Sequence, residues 1–209
     1  MARVPEAAVK RLPIYLRVLS DLAEEGAEVI SSAELSRLTG LSSEQIRKDF
    51  VYFGVLGKRG VGYRIGHLCH RLRQLLGLEE EVRVALVGAG NLGTALARYN
   101  LMRQKEVRIT AVFDRDWDKV GKKIEHLEIL PMEDLERVIR EQGIKMAIIA
   151  VPPSSAREVA DALVEAGVKA ILNFSPVKLD GRGKAYVKNI DLTMELEALA
   201  FYAGGREKG

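Results

Sequence analysis

Residues 84–99 read VALVGAGNLGTALARY, and this stretch restricts the possible fold more tightly than any other in the chain. The apolar run VRVALV (82–87) predicts a short buried strand. Gly88, Ala89, Gly90, Asn91, Leu92 and Gly93 then form a turn into a helix that carries Thr94 and Leu96. The glycines of such a turn serve separate ends, namely the tight bend, backbone approach to a pyrophosphate, and close helix–strand packing. The phosphates then rest on the free N–H groups of the helix start. A second strand, VRITAVF (107–113), ends at Asp114, 21 residues beyond Gly93. A carboxylate there accepts hydrogen bonds from the ribose hydroxyls of NAD. Arg115 follows it directly and could meet the 2′-phosphate of NADP. Asp114 would repel that phosphate, so the expected cofactor is NAD(H).

The alternation of strand and helix continues. MEDLERVIREQG (132–143) is predicted as a helix, and IKMAIIAV (144–151) as a fully buried strand. A helix capped by Ser154 then runs to Gly167, and VKAILNF (168–174) is another buried strand. Continuous apolar strands separated by helices predict a parallel sheet covered on both faces. Ligands bind beyond the carboxyl ends of such strands, so Val151, Pro152, Asn173 and Phe174 are expected to line the cleft near the nicotinamide. Pro153 reads equally well as an ordinary turn proline. Asp191 marks a strand-to-helix junction, and Leu192, Leu196, Leu199 and Phe201 make the following helix strongly apolar. That helix either folds onto its own sheet or crosses to a second subunit. The tail GGREKG is expected to be disordered.

About eighty residues of a different texture precede the glycine turn. Residues 1–78 carry 12 Lys and Arg against 8 Asp and Glu, whereas the remainder carries 20 against 21. The basic excess thus lies wholly in the front third, which suggests a polyanionic partner for that part alone. Val9, Leu12, Leu16, Leu19 and Leu22 mark one face of a helix that Pro13 should kink or begin. In ISSAELSRLTGLSSEQIRKDFVYFG (30–54), Ser31 or Ser32 caps a first short helix and Gly40 ends it. Ser42 or Ser43 caps a second, with Ile46 and Phe50 on its inner side, a helix-turn-helix plan. Its outward residues Ser43, Gln45, Arg47, Lys48 and Tyr52 suit base edges and phosphates. GVLGKRGVGYRI (54–65) predicts a tight hairpin with Lys58 and Arg59 at its tip, a wing fitted to a minor groove. A helix from about His67 to Leu76, closed by Gly77, leads away.

Several function classes drop out. The single cysteine, Cys69, excludes an intramolecular disulfide and a cysteine-based zinc cage, and no metal is expected. No run approaches the roughly 18 apolar residues of a membrane span, and MARVPEAAVKRL lacks the apolar core of a signal peptide. The expected location is cytoplasmic. A dehydrogenase needs an acid–base group beside the nicotinamide. His67, His70 and His126 all read as surface residues, and Tyr99 has no lysine at catalytic spacing. Cofactor binding without an evident reaction points to sensing rather than catalysis. Two alternatives stay open on these residues: a small NAD(P)-dependent oxidoreductase whose front domain only dimerises, and a coenzyme A module, against which Asp114 argues.

Five segments together resemble the Rex family of bacterial redox-sensing transcriptional repressors. They are IRKDFVYFGVLGKRGVGY (46–63), VGAGNLGTALARY (87–99), FDRD (113–116), ILNFSPV (171–177) and VKNIDL (187–192). The resemblance implies an α/β chain with three parts: a winged-helix DNA-binding domain at 1–78, a Rossmann-like parallel-sheet NAD(H)-binding domain at 79–191, and a C-terminal helix and tail at 192–209, swapped in a homodimer. It implies a repressor that binds double-stranded operator DNA at two half-sites and is released by NADH, while NAD⁺ competes. By position, Arg47, Lys48, Tyr52, Lys58 and Arg59 would contact DNA. Gly88, Gly90, Asn91, Leu92 and Asp114 would hold the adenosine and pyrophosphate. Arg17, Tyr99 and Asp191 would form the switch, with Asp191 reaching in from the other subunit. A cleft of Val151, Pro152, Phe174 and Tyr99 would disfavour the cationic oxidised nicotinamide and accept the neutral reduced ring.

Overall fold

The computed structural model describes residues 5–58, 60–103 and 106–204. Arg59 of the expected wing tip and all but the first residue of the tail lie outside the described residues. The chain forms two compact units, Met1–Glu80 and Glu81–Gly209.

In the front unit, α1 (Glu6–Glu24) runs unbroken through Pro13. That proline sits on the exposed side of the helix, where water can reach the carbonyl its missing N–H leaves unpaired. The buried line of α1 is Ala8, Leu12, Tyr15 and Leu19. Val9, expected on the inner face, is exposed instead, because the true stripe passes one residue earlier and includes a tyrosine. Ser31 caps α2 (Ser32–Thr39) by accepting from the Glu34 N–H, and Gly40 ends it at φ 71°. Ser42 caps α3 (Ser43–Tyr52) by accepting from the Gln45 N–H. Phe50 then packs edge-on against Tyr15 and Tyr63, with ring centroids 5.3 Å and 4.9 Å away. Strand β1 (Val29–Ile30) pairs antiparallel with β2 (Tyr63–Arg64), and α4 (Ile65–Leu76) follows. Between α3 and β2 the chain forms a hairpin closed by a Lys58–Gly62 bridge. Gly62 is obligatory there: at φ 99° an added Cβ would lie 2.5 Å from the Ile30 carbonyl oxygen.

The back unit is a seven-stranded sheet. Its strands are β3 (Val82–Val87), β4 (Val107–Asp114), β5 (Lys123–Ile124), β6 (Leu127–Pro131), β7 (Met146–Ile149), β8 (Ala170–Asn173) and β9 (Tyr186–Asn189). Their order is β5-β6-β4-β3-β7-β8-β9, parallel except for β5 against β6. Both faces are covered: Ala85 and Val87 of β3 point into one core and Val84 and Leu86 into the other. The helices are α5 (Asn91–Arg103), α6 (Leu135–Glu141), α7 (Pro153–Glu165) and α8 (Leu192–Ala203). One detail was not anticipated and two differ from expectation. KIEHLEI folds as the β5–β6 hairpin, turning at Glu125 with φ 55°. The segment 132–143 opens with a 3₁₀ turn, Met132–Asp134, before α6. Helix α7 is entered by Pro152 with Pro153 at its first position, so Ser154 is not its cap; proline's fixed φ and missing N–H suit that first turn.

Candidate functional site

Sheet order brings the chain segments after β4, β3 and β7 side by side at the carboxyl edge. They surround a cavity of about 1030 Å³ lined by Gly88, Gly90, Asn91, Leu92, Asp114, Arg115, Lys119, Val151 and Pro152, among others. That volume lies just above the roughly 300–1,000 Å³ usual for ligand pockets.

The glycines sit in different surroundings. A Cβ on Gly88 would lie 2.5 Å from the Ala150 carbonyl oxygen, and one on Gly93 would overlap the Gly88 carbonyl. Both therefore set how closely β3, β7 and α5 pack. Gly90 is different, because a Cβ there meets nothing within 4 Å. The first hydrogen bond of α5 runs from the Thr94 N–H to the Gly90 carbonyl at 2.8 Å. The N–H groups of Asn91, Leu92 and Gly93 ahead of it thus have no acceptor within the helix, and Asn91 and Leu92 border the cavity. This arrangement fits a pyrophosphate.

Asp114 is nearly buried. It accepts from the Ala89 N–H at 2.8 Å, the Asp116 N–H at 2.9 Å and the Lys119 ammonium at 3.1 Å. Burial pushes its carboxyl upward, but the two N–H groups and Lys119 outweigh it and hold it below the usual carboxylate range. Lys119, which the sequence did not single out, is thus part of the acid's setting. Arg115 donates to the Ser155 hydroxyl at 2.8 Å. The cavity lining holds the carboxylates of Asp114, Asp116, Glu133 and Glu158 against the cations of Arg115 and Lys119, a balance that does not invite an additional phosphate.

Other expected ligands are not brought to this cavity. Asn173 is fully buried. Its amide nitrogen donates to the Val177 carbonyl and the Asn189 side chain, and its oxygen accepts from the Ser175 N–H. It holds the end of β8 together and has no face toward a cleft. Phe174 and Tyr99 are absent from the lining as well; Tyr99 is more than half exposed on α5. Ser175 carries the one buried side-chain oxygen without a hydrogen-bond partner among the described residues. Asp191 caps α8, accepting from the Thr193 and Met194 N–H groups through Oδ1, and Arg17 is exposed on α1. All of the described side chains of α8 are exposed, with Met194 and Leu196 about two-thirds so. It does not fold onto its own sheet.

In the front unit, α3 presents Arg47, Lys48 and Tyr52 to solvent, and Lys58 is exposed on the hairpin. Three of the expected contacts are engaged within the unit, Arg47 by donating to the Ser32 hydroxyl at 3.1 Å while its side chain stays exposed. The Ser43 hydroxyl donates to the Ser32 carbonyl, and the Gln45 amide donates to Asp49. Asp49 is wholly buried and is gripped by Arg11 through Nε at 2.6 Å and an amino group at 2.7 Å. The Tyr15 hydroxyl donates to it at 2.7 Å. Sequence reading missed this cluster, since an aspartate in RKDF reads as surface charge.

A pH window follows. Burial favours the protonated form of Asp49, but Arg11, Tyr15 and Gln45 overcome it and keep the carboxyl below its usual range. Its stabilisation is complete above the ordinary value of about 3.9 and is lost as pH falls through the lower folded value. Burial and then Asp49 push the Tyr15 hydroxyl upward, so its contribution fades once pH rises past about 10. Calorimetric melting of the full chain from pH 3 to 11 should decline at both ends, with a shallower acid limb in Asp49→Asn.

Comparison with known proteins gives a consistent set. A family model described as "CoA binding domain" matches residues 79–177, and one described as "Putative DNA-binding protein N-terminus" matches residues 3–50. The redox-sensing transcriptional repressor Rex of Natranaerobius thermophilus is 44% identical over 95% of this chain and 91% of its own. That of Carboxydothermus hydrogenoformans is 45% identical over 95% and 96%. Among solved structures, RSP in complex with β-NAD⁺ and operator DNA superposes with a TM-score of 0.90 at 34% identity, covering 98% of this chain and 94% of RSP. RSP in complex with β-NADH gives 0.84 at 33% identity, covering 98% and 96%.

Proposed function

This chain belongs to the Rex family of redox-sensing transcriptional repressors, and on that premise we propose how its own residues bind operator DNA and sense NADH. The protein is a repressor and not an enzyme. The observation that carries the reading is the pairing in one chain of a helix-turn-helix with outward cations and a cavity built around an open glycine. In the front unit Arg47, Lys48 and Tyr52 on α3 face the major groove, with Lys58 and Arg59 on the wing. Ser43 and Gln45 act mainly by bracing α3.

In the back unit Gly88, Ala89, Gly90, Asn91, Leu92 and Gly93 form the pyrophosphate turn. Asp114, held by Lys119 and flanked by Arg115, receives the adenosine ribose. Val151 and Pro152 border the nicotinamide end, with Phe174 and Asn173 shaping the strand end behind them. NAD(H) supplies the redox signal as ring charge, cationic when oxidised and neutral when reduced, and an apolar border favours the neutral form. A ligand shifts the DNA-binding equilibrium only by its preference between the two states. Arg17, Tyr99 and Asp191 are the residues through which that preference is read. Asp191 Oδ2 takes neither of the capping bonds, which leaves it for Arg17 or Tyr99 of a partner subunit. The exposed α8 supports a homodimer built by exchanging this helix. Among the described residues no helix is long and apolar enough to cross a membrane, and the reading places the protein in the cytoplasm with its operator and its nucleotide pool.

A band-shift on a palindromic operator tests this. Wild-type protein should retard the DNA, NADH should release it, and NAD⁺ at the same concentration should not. Equal effects of the two nucleotides would overturn the sensing mechanism. Retention should weaken as salt rises, as phosphate contacts require.

A further inference from the structure

The buried carboxylate of Asp49 carries the inference furthest. It lies on α3 directly after Arg47 and Lys48, the two cations proposed to meet DNA. Four donors from three side chains converge on its two oxygens: the Arg11 fork, the Tyr15 hydroxyl and the Gln45 amide. Arg11 and Tyr15 are four residues apart, hence on one side of α1, while Gln45 is four residues before Asp49 on α3 itself. A carboxylate can only accept, so each of these groups must present a hydrogen to it. A forked guanidinium adds angular constraint that a single hydrogen bond lacks. The apolar contacts around Phe50 hold α3 close to α1 but tolerate sliding and rotation, because apolar contact is not directional.

Resting on the DNA-binding reading above, we infer that Asp49 is a positioning residue for operator recognition: the Arg11–Asp49–Tyr15–Gln45 cluster sets the rotation of α3 against α1 and so aims Arg47 and Lys48. Tyr15 locks the same contact from its hydroxyl while its ring fills the core against Phe50. Gln45, expected from sequence as a base contact, acts in this cluster by fixing the first turn of α3 to the same anchor.

The experiment uses the full-length chain and a palindromic operator that the wild-type protein retards. Asp49→Asn, Arg11→Lys and Tyr15→Phe are compared in operator affinity, in the salt dependence of that affinity, and in the ratio of operator to scrambled DNA. A mere loss of stability lowers the active fraction and leaves salt slope and specificity ratio unchanged. A misaimed helix changes both. Asp49→Asn is expected to bind operator at least about tenfold more weakly, with the salt slope reduced by about 0.9 for each phosphate that the turned helix no longer reaches. Arg11→Lys, which keeps the charge but not the fork, should fall between it and wild type. NADH binding to the back unit should be unchanged in all three. Should Asp49→Asn fail to fold, Tyr15→Phe decides, because it keeps the ring and removes only the hydroxyl. A folded variant with wild-type slope and specificity ratio overturns the inference. Failure of the wild-type chain to retard any operator would instead overturn the DNA-binding reading on which it rests.

Discussion

Gly90→Ala will yield a repressor that keeps its operator at NADH concentrations that release the wild type, letting go only at about a hundredfold more nucleotide. The position separates binding from folding unusually well. A Cβ on Gly90 meets no atom within 4 Å, and its φ is not in the left-handed region, so alanine adds neither a clash nor backbone strain. The methyl group enters the space beside the N–H groups at the start of α5, the proposed seat of the pyrophosphate. NADH affinity should fall about a hundredfold, equivalent to roughly 2.7 kcal/mol. Trp117, the sole tryptophan, lies between Asp116 and Lys119 of the cavity wall. Energy transfer from it to NADH gives a direct titration. Operator retardation without nucleotide should match wild type, because the front unit is untouched. Gly93→Ala is the informative contrast: its Cβ would overlap the Gly88 carbonyl, so that variant should also melt earlier. Wild-type NADH affinity in Gly90→Ala would show that the turn is not where the pyrophosphate rests.

How much of the fold and the site was legible in the sequence depends on the range of each signal. The serine caps at Ser31 and Ser42, the stops at Gly40 and Gly77 and the glycine turn are local chemistry, and local chemistry shows in a window of a few residues. The buried parallel strands showed in the same way, as short apolar runs punctuated by glycine and proline. Asp49 did not, because its partners Arg11 and Tyr15 lie 38 and 34 residues away. A surface aspartate and a buried, paired one look identical in RKDF. Lys119 was hidden for a related reason: in DRDWDK it reads as one charge among many, and only the fold turns it back onto Asp114. Asn173 was misplaced because a strand end beside a cleft and one stitched to the next loop share the same sequence signature. Val9 failed by one residue in helical phase, since Tyr15 was not counted as a core residue.

The strongly apolar C-terminal helix leads to the second large effect. Changing Leu196 and Leu199 to glutamate will convert the protein to monomers and weaken operator binding about a hundredfold or more. Leu192, Met194, Leu196, Leu199, Phe201 and Tyr202 of α8 are each about half exposed or more. Fully burying such a side chain is worth about 1.5–3 kcal/mol, so covering the exposed half of six of them contributes about 5–9 kcal/mol per helix. With two helices exchanged as proposed, that area is large enough to hold a dimer against the entropy of association. Two glutamates per chain remove four leucines from the seam and would bury four carboxylates without partners, a heavier penalty than the missing apolar area. Sedimentation should show the mass halved at micromolar concentration. Operator affinity should fall by a factor of about a hundred or more, since a monomer lacks the local concentration that a tethered second half-site supplies. The helix itself should persist, because the Asp191 cap and good helix formers such as alanine, leucine and glutamate remain. A variant that stays dimeric would place the subunit interface elsewhere and leave the apolar face of α8 to another partner.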